Sequence, residues 1–288
     1  MSDAIPNAAP LAVPSKVDRN RELLDQRAVR VVYKEAGDAE LDAFVFYPEG
    51  HTDGDRRTCV VFFFGSKWDK GLVSQFAPQC VYFAARGAVA IAVDYRVASR
   101  HGATPHGSMA DAKSAIRWVR QNAAALGIDE NRIVAGGASG GAQIALAAAM
   151  IDGHDEPDED LDVSPRPDAM ILYSPAVDVT KNGFGFERFE EKKAAKKASP
   201  IRWVKKGLPP SVVFHGTVDR VVPVAGVRKF CRKMRWKRNP CELVEFEGQG
   251  HGFFNFNVDP RSYEATISTA DRFLVDLGFL EPGEEDAP

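Results

Sequence analysis

Four short runs, "AVAIAVDY" (88–95), "RIVAGG" (132–137), "AMILYSP" (169–175) and "SVVFHG" (211–216), are almost free of polar residues, and stretches with helical spacing separate them. A strand with one face in water alternates apolar and polar residues, whereas a strand covered on both faces has no reason to. Helical stretches at about 73–86, 108–126, 140–151, 224–238 and 259–278, and an eighth strand "CELVEFEG" (241–248), keep the alternation going. Strand, helix, strand order with both faces covered demands crossovers of one hand and a mostly parallel sheet. Upstream, "AVRVVYKE" (28–35) and "LDAFVFYP" (41–48) are joined by "AGDAE", which reads as a hairpin, and "TCVVFFF" (58–64) follows. These three are expected to form an antiparallel start to the sheet, so the fold class is α/β, with eight strands and helices on both faces.

The remaining chain bounds the function. Residues 1–20, rich in Ala and Pro, read as a flexible N-terminal arm, and 21–288 as a single domain with a small insertion near 179–207. The insertion carries "KNGFGFERFEEKKAAKKAS" (181–199), whose charges fit either a solvated helical face or a rim that selects anionic substrates. A formal charge of −3 gives no basic excess, so no nucleic-acid partner is expected. No run approaches the roughly 20 apolar residues of a membrane span, and the first residues lack the pattern of a secretory leader. The expectation is a cytoplasmic protein if the sequence is complete, and an exported one if a leader was removed. Cys59, Cys80, Cys231 and Cys241 have no metal-ligand spacing and are expected to be buried thiols, with Cys231 and Cys241 the pair to inspect for a disulfide. Neither metal nor cofactor is implied.

Ligand groups in open α/β sheets gather beyond the carboxyl ends of the strands. After "RIVAG" comes "GASGG", residues 137–141, a G-x-S-x-G motif at a strand-to-helix turn. So sharp a turn needs small neighbours around its serine, which makes Ser139 the candidate nucleophile. A serine hydroxyl needs a base, and the base needs a carboxylate to fix its tautomer. Of six histidines, His251 in "EGQGHGFF" follows a strand between two glycines, while His215 at the end of "VVFH" fits better as a residue that orders the next turn. That turn, "GTVDRVVP", offers Asp219 as the acid; Asp178 in "SPAVD" is second choice, and Asp94 in "VDYR" reads as a loop anchor paired with Arg96.

"GASGG", "HGTVDRVVP" and "EGQGHGFFN", in this order, resemble the α/β-hydrolase superfamily, and more narrowly the carboxylesterases related to bacterial carbohydrate acetyl and feruloyl esterases and to hormone-sensitive-lipase-like enzymes. "DYR", "DAKSAIRWVRQNAAALGID" (111–129) and "SPAVD" (174–178) match the same group. The resemblance, over about 30–275, implies an α/β-hydrolase fold with a small cap and a serine esterase acting on a small-molecule ester. Ser139, Asp219 and His251 would be nucleophile, acid and base. That group carries an H-G-G-G-W loop after the third strand, and "FFFGSKW" (62–68) stands in its place. Gly65, Ser66 and Lys67, with Gly140, would then supply backbone N–H donors to an oxyanion, and Trp68 would belong to the substrate pocket. Replacing two loop glycines by Ser66 and Lys67 is expected to cost strain wherever φ is positive. Two alternatives stay open: a degenerate hydrolase that mainly binds a small molecule, and a serine peptidase, disfavoured because no second domain restricts access.

Overall fold

A computed structural model describes residues 16–283 except 182. Among the described residues, eight strands form one sheet in the order β1-β2-β4-β3-β5-β6-β7-β8. They are β1 (Val29–Ala36), β2 (Ala39–Phe46), β3 (Arg57–Ser66), β4 (Val89–Val93), β5 (Ile128–Ala138), β6 (Ala169–Tyr173), β7 (Ser211–Gly216) and β8 (Cys241–Phe246). The pairs from β4 through β8 are parallel, and β1 and β2 are antiparallel.

The expected antiparallel start holds for β1 and β2 but not for the third strand. β3 lies in the middle of the sheet, parallel to both β4 and β5. Its residues Thr58 to Phe64 are all buried, because helices cover both faces of the sheet at this strand. The helices α4 (Pro105–Gln121), α5 (Ser139–Met150) and α7 (Val224–Trp236) cover one face, where Ile116, Ile144 and Phe230 join one apolar cluster. On the opposite face α1 (Lys16–Arg27), α2 (Ala77–Ala85) and α8 (Pro260–Asp276) bury Leu24, Phe83 and Leu274. The chain leaves β3 for β4 on one side and returns to β5 on the other. Strand order therefore reverses between β3 and β5, and a crevice opens beyond their carboxyl ends.

The expected arm over 1–20 is overturned at its end: α1 begins at Lys16, and residues 1–15 lie outside the described residues. Leu24 is buried against the α2 and α8 side, and Asn20 Nδ2 donates to Gln75 O at 3.4 Å, with Asn257 Nδ2 donating to Asn20 Oδ1 at 3.1 Å. The insertion contains the short helix α6 (Lys192–Lys197) and packs into the core through Phe184, Phe189, Ala195 and Ile201. Asp94 does anchor a loop, but on a different arginine: it takes two hydrogen bonds from Arg100 of the short helix α3 (Ala98–His101), at 2.6 and 2.7 Å. Arg96 instead binds Asp111 and Glu156, because α4 presents Asp111 directly beneath the residue 96 backbone. All four cysteines are buried and free.

Candidate active site

Ser139 is the first residue of α5 and has φ +54, a left-handed value that an L-residue adopts only under constraint. The constraint is the closeness of β3. A Cβ on Gly141 would stand 2.1 Å from Phe64 O, and one on Gly140 would stand 2.2 Å from Ser66 O. The glycines of the motif are thus required by backbone approaching backbone, and Ser139 is driven to the top of the sheet at the positive end of α5.

Asp219 sits in the turn after β7. Its Oδ1 accepts the N–H groups of Val221 and Val222, at 2.8 and 2.9 Å, and its Oδ2 lies 2.7 Å from His251 Nδ1. Burial by itself would raise the pKa of this carboxyl; the His251 hydrogen bond and the two amides outweigh burial and hold it below the ordinary carboxylate value. The arrangement assigns the His251 Nδ1 proton to the carboxylate and leaves Nε2 toward the crevice. His215 is fully buried and donates through Nε2 to Val222 O at 2.8 Å, with Asp219 Oδ2 at 3.3 Å. Burial keeps it neutral, so it braces the Asp219 turn from beneath. Asp178 is engaged elsewhere: its Oδ1 accepts from Thr180 N, Thr180 Oγ1 and Ser199 Oγ, which ties down the start of the insertion.

Ser139 and His251 share a cavity of about 270 Å³, walled by Gly65, Ser66, Lys67 and Phe184 on one side and by Val221 and Phe254 on the other. Among the described residues no hydrogen bond joins Ser139 to His251; such contacts are often loose until a substrate is bound.

Loop 64–68 departs from expectation in three respects. The positive φ falls on Trp68, at +54, and neither Ser66 nor Lys67 is strained in this way. Ser66 instead closes a relay in which Trp68 N–H donates to Ser66 Oγ at 2.9 Å, Ser66 Oγ–H to Tyr95 Oη at 2.8 Å, and Tyr95 Oη–H to Phe64 O at 2.7 Å. Gly65 N–H is engaged by Gln75 Oε1 at 2.5 Å, so it is not among the open donors. Trp68 does not line the cavity: it is 1% exposed and packed edge-on to Phe184 and Phe189, because the insertion folds down over it. Lys67 Nζ pairs with Glu187 Oε1 at 3.0 Å, and Arg188 with Asp69 at 2.9 Å, so two ion pairs join the loop to the insertion.

Residues that no motif pointed to also reach the cavity. Gln75, Phe184, Val221, Phe254 and Asn255 line it from loops and a single 3-10 turn. Isolated side chains in aperiodic segments leave no pattern to read; for Asn255 and Phe254 the one available signal was nearness to His251.

Residues 45–234 match the BD-FAE family. The chain belongs to the BD-FAE family. The BD-FAE chain therefore sits among the α/β-hydrolase carboxylesterases, and its sheet and helices agree with that fold. It is 30% identical over 190 residues to esterase LipC of Mycobacterium tuberculosis, covering 59% of this chain and 46% of that protein. The chain spans less than half the length of the curated relatives it first matches. Among solved structures it resembles Thermogutta terrifontis esterase 2 phosphorylated by paraoxon, at 44% identity and TM-score 0.85, covering 90% of this chain and 97% of that one. The propionate-bound form of the same esterase is 43% identical at TM-score 0.85, with the same 90% and 97% coverage.

Proposed function

We propose that this BD-FAE protein is a serine carboxylesterase that hydrolyses short-chain acyl esters through Ser139, His251 and Asp219. The observation that carries the reading is the 2.7 Å contact of Asp219 Oδ2 with His251 Nδ1, beside a cavity that Ser139 and His251 share. In this mechanism His251 Nε2 takes the Ser139 hydroxyl proton as Oγ bonds to the ester carbonyl carbon, and the carbonyl electrons move onto oxygen. Backbone N–H groups of loop 66–67 and Gly140, with the positive end of α5, stabilise that oxyanion. Collapse breaks the bond to the alcohol oxygen, which leaves with the proton from His251. Water then repeats the sequence on the acyl-enzyme, releasing the carboxylic acid and restoring Ser139. Asp219 remains ionised throughout and holds the imidazolium.

The acyl group is small on this reading. A cavity of about 270 Å³ closed by Phe184, Val221 and Phe254 accommodates acetyl to butanoyl better than a long chain. The propionate- and butyrate-bound forms of the Thermogutta esterase support the same size range. Acetylated carbohydrates belong to this substrate class. The test is a p-nitrophenyl ester series from acetyl to octanoyl, together with acetylated sugars, on wild type and Ser139→Ala. Turnover should be confined to short acyl groups and vanish in the variant; turnover by Ser139→Ala near wild type would remove the assignment.

A further inference from the structure

Two side-chain amides that the proposed chemistry does not use stand between the oxyanion loop and the loop that carries His251. Gln75 lies in the 3-10 turn Val73–Phe76, and Asn255 lies four residues beyond His251; both line the cavity. Gln75 Oε1 accepts Gly65 N–H, Gln75 Nε2 donates to Asn255 Oδ1 at 2.9 Å, and Asn255 Nδ2 donates to Gly252 O at 2.8 Å. The orientation of both amides follows from the two ends. Gly65 offers a donor and Gly252 an acceptor, so each carboxamide satisfies its partners in one orientation alone.

We propose that Gln75 and Asn255 are positioning residues that hold loop 64–68 and the His251 loop at a fixed separation. The proposal rests on the reading of Ser139, His251 and Asp219 given above. An oxyanion is stabilised only by donors within roughly 2.7–3.1 Å of where its charge forms, and a misplacement of about 1 Å can cost about 100-fold in rate. The imidazole must meet Ser139 in the same instant. The two loops come from opposite sides of the crevice, one from the end of β3 and one from the end of β8, and no strand pairing connects those ends. The amide bridge supplies that connection. Of the apolar walls that hold the acyl group, Phe184 and Val221 come from segments outside the bridge. Loss of the bridge should therefore act on the transition state and spare ground-state binding.

The experiment compares wild type with Gln75→Leu, Asn255→Ala and the double variant on p-nitrophenyl acetate, recording kcat, KM and the melting temperature of each. Gln75→Leu is expected to lower kcat about 10- to 100-fold with KM within about twofold. Asn255→Ala should give a smaller loss of the same kind, and the double variant should be no slower than Gln75→Leu alone, since one connection is cut in all three. Unchanged kcat in folded Gln75→Leu, proportionate changes in kcat and KM, or additive losses would overturn the proposal. If Gln75→Leu does not fold, Asn255→Ala decides it: a fall in kcat at constant KM supports it, and wild-type kcat overturns it. Labelling of wild-type Ser139 by an organophosphonate separates the two readings. Labelled, active wild type with indifferent variants sinks only the bridge, whereas unlabelled, inactive wild type sinks the esterase reading on which it stands.

Discussion

Ser66 shows how one side chain can replace a glycine and add a function. Its hydroxyl accepts the Trp68 N–H and donates a hydrogen bond to Tyr95 Oη, so the strained Trp68 backbone is held by a relay that a glycine would lack. Ser66→Ala leaves a buried N–H without a partner, which costs about 1–3 kcal/mol. It should lower the melting temperature and reduce kcat about tenfold, as read by thermal denaturation and ester hydrolysis. Lys67→Ala should change stability by less than about 1 kcal/mol, because its ion pair with Glu187 is exposed, and it should not alter the preference for neutral over anionic esters. A salt-dependent loss on anionic esters alone would show an uncompensated charge. At the proposed acid, Asp219→Asn should cost about 10⁴-fold in kcat, by analogy with the same change in a serine protease, while Asp178→Asn should leave kcat near wild type because its carboxylate serves the insertion. The reverse ranking would move the acid role. Ser139, Asp219 and His251 were legible as candidates because glycines and strand ends flag them. Gln75 and Asn255 were not, since an amide in a polar loop acquires meaning only from what stands opposite it.

The elements of the parallel sheet were readable for a related reason: burial on both faces removes alternation, and "AVAIAV" or "AMILY" then has no other explanation. Their adjacency was not readable. The run that became β3 carries the same apolar signature wherever it sits, so nothing in "TCVVFFF" marked it as the central strand. α1 escaped because Leu23 and Leu24 are the only large apolar residues in "KVDRNRELLDQR" besides Val17, too few to set a period. The G-x-S-x-G turn makes a sharp prediction at this scale. Gly141→Ala places a Cβ 2.1 Å from Phe64 O and 2.4 Å from Phe63 O, both backbone atoms of β3. The strand and helix must separate, and the loss should reach about 3 kcal/mol or more in denaturant titration. Gly226→Ala in α7 meets nothing within 4 Å and should stabilise by about 0.5–1 kcal/mol. Equal effects at the two glycines would show that close approach is not what the motif serves.

Across the whole molecule, acid should loosen the join between the insertion and the body. His106 and His154 stack with Nδ1 atoms 3.1 Å apart, and Phe189 of the insertion packs edge-on to His106. Burial, the neighbouring His106 and Lys113 push the His154 pKa down to about 4, against the opposing pull of Asp155 and with a further push from Lys197. The unfolded chain therefore binds this proton more readily than the folded one. The associated stability is present above about pH 6.5 and is lost as pH falls toward 4. Melting temperature should drop across that window, and His154→Asn, which tolerates φ +61, should flatten the drop. An unchanged slope in that variant would assign the acid sensitivity elsewhere.

The contact of α1 with Gln75 has a mechanical meaning. Asn257 holds Asn20, Asn20 holds the Gln75 carbonyl, and Gln75 holds Gly65, so force applied to the first helix travels along hydrogen bonds into the crevice. Attachment to a solid support through the N-terminus loads that path. Attachment through Trp236→Cys, on the exposed outer end of α7, does not, and the buried native thiols leave the new one selectively reactive. Of the two immobilised forms, the one anchored at α7 should retain the higher kcat, and the difference should disappear when Asn20→Ala cuts the line between handle and site.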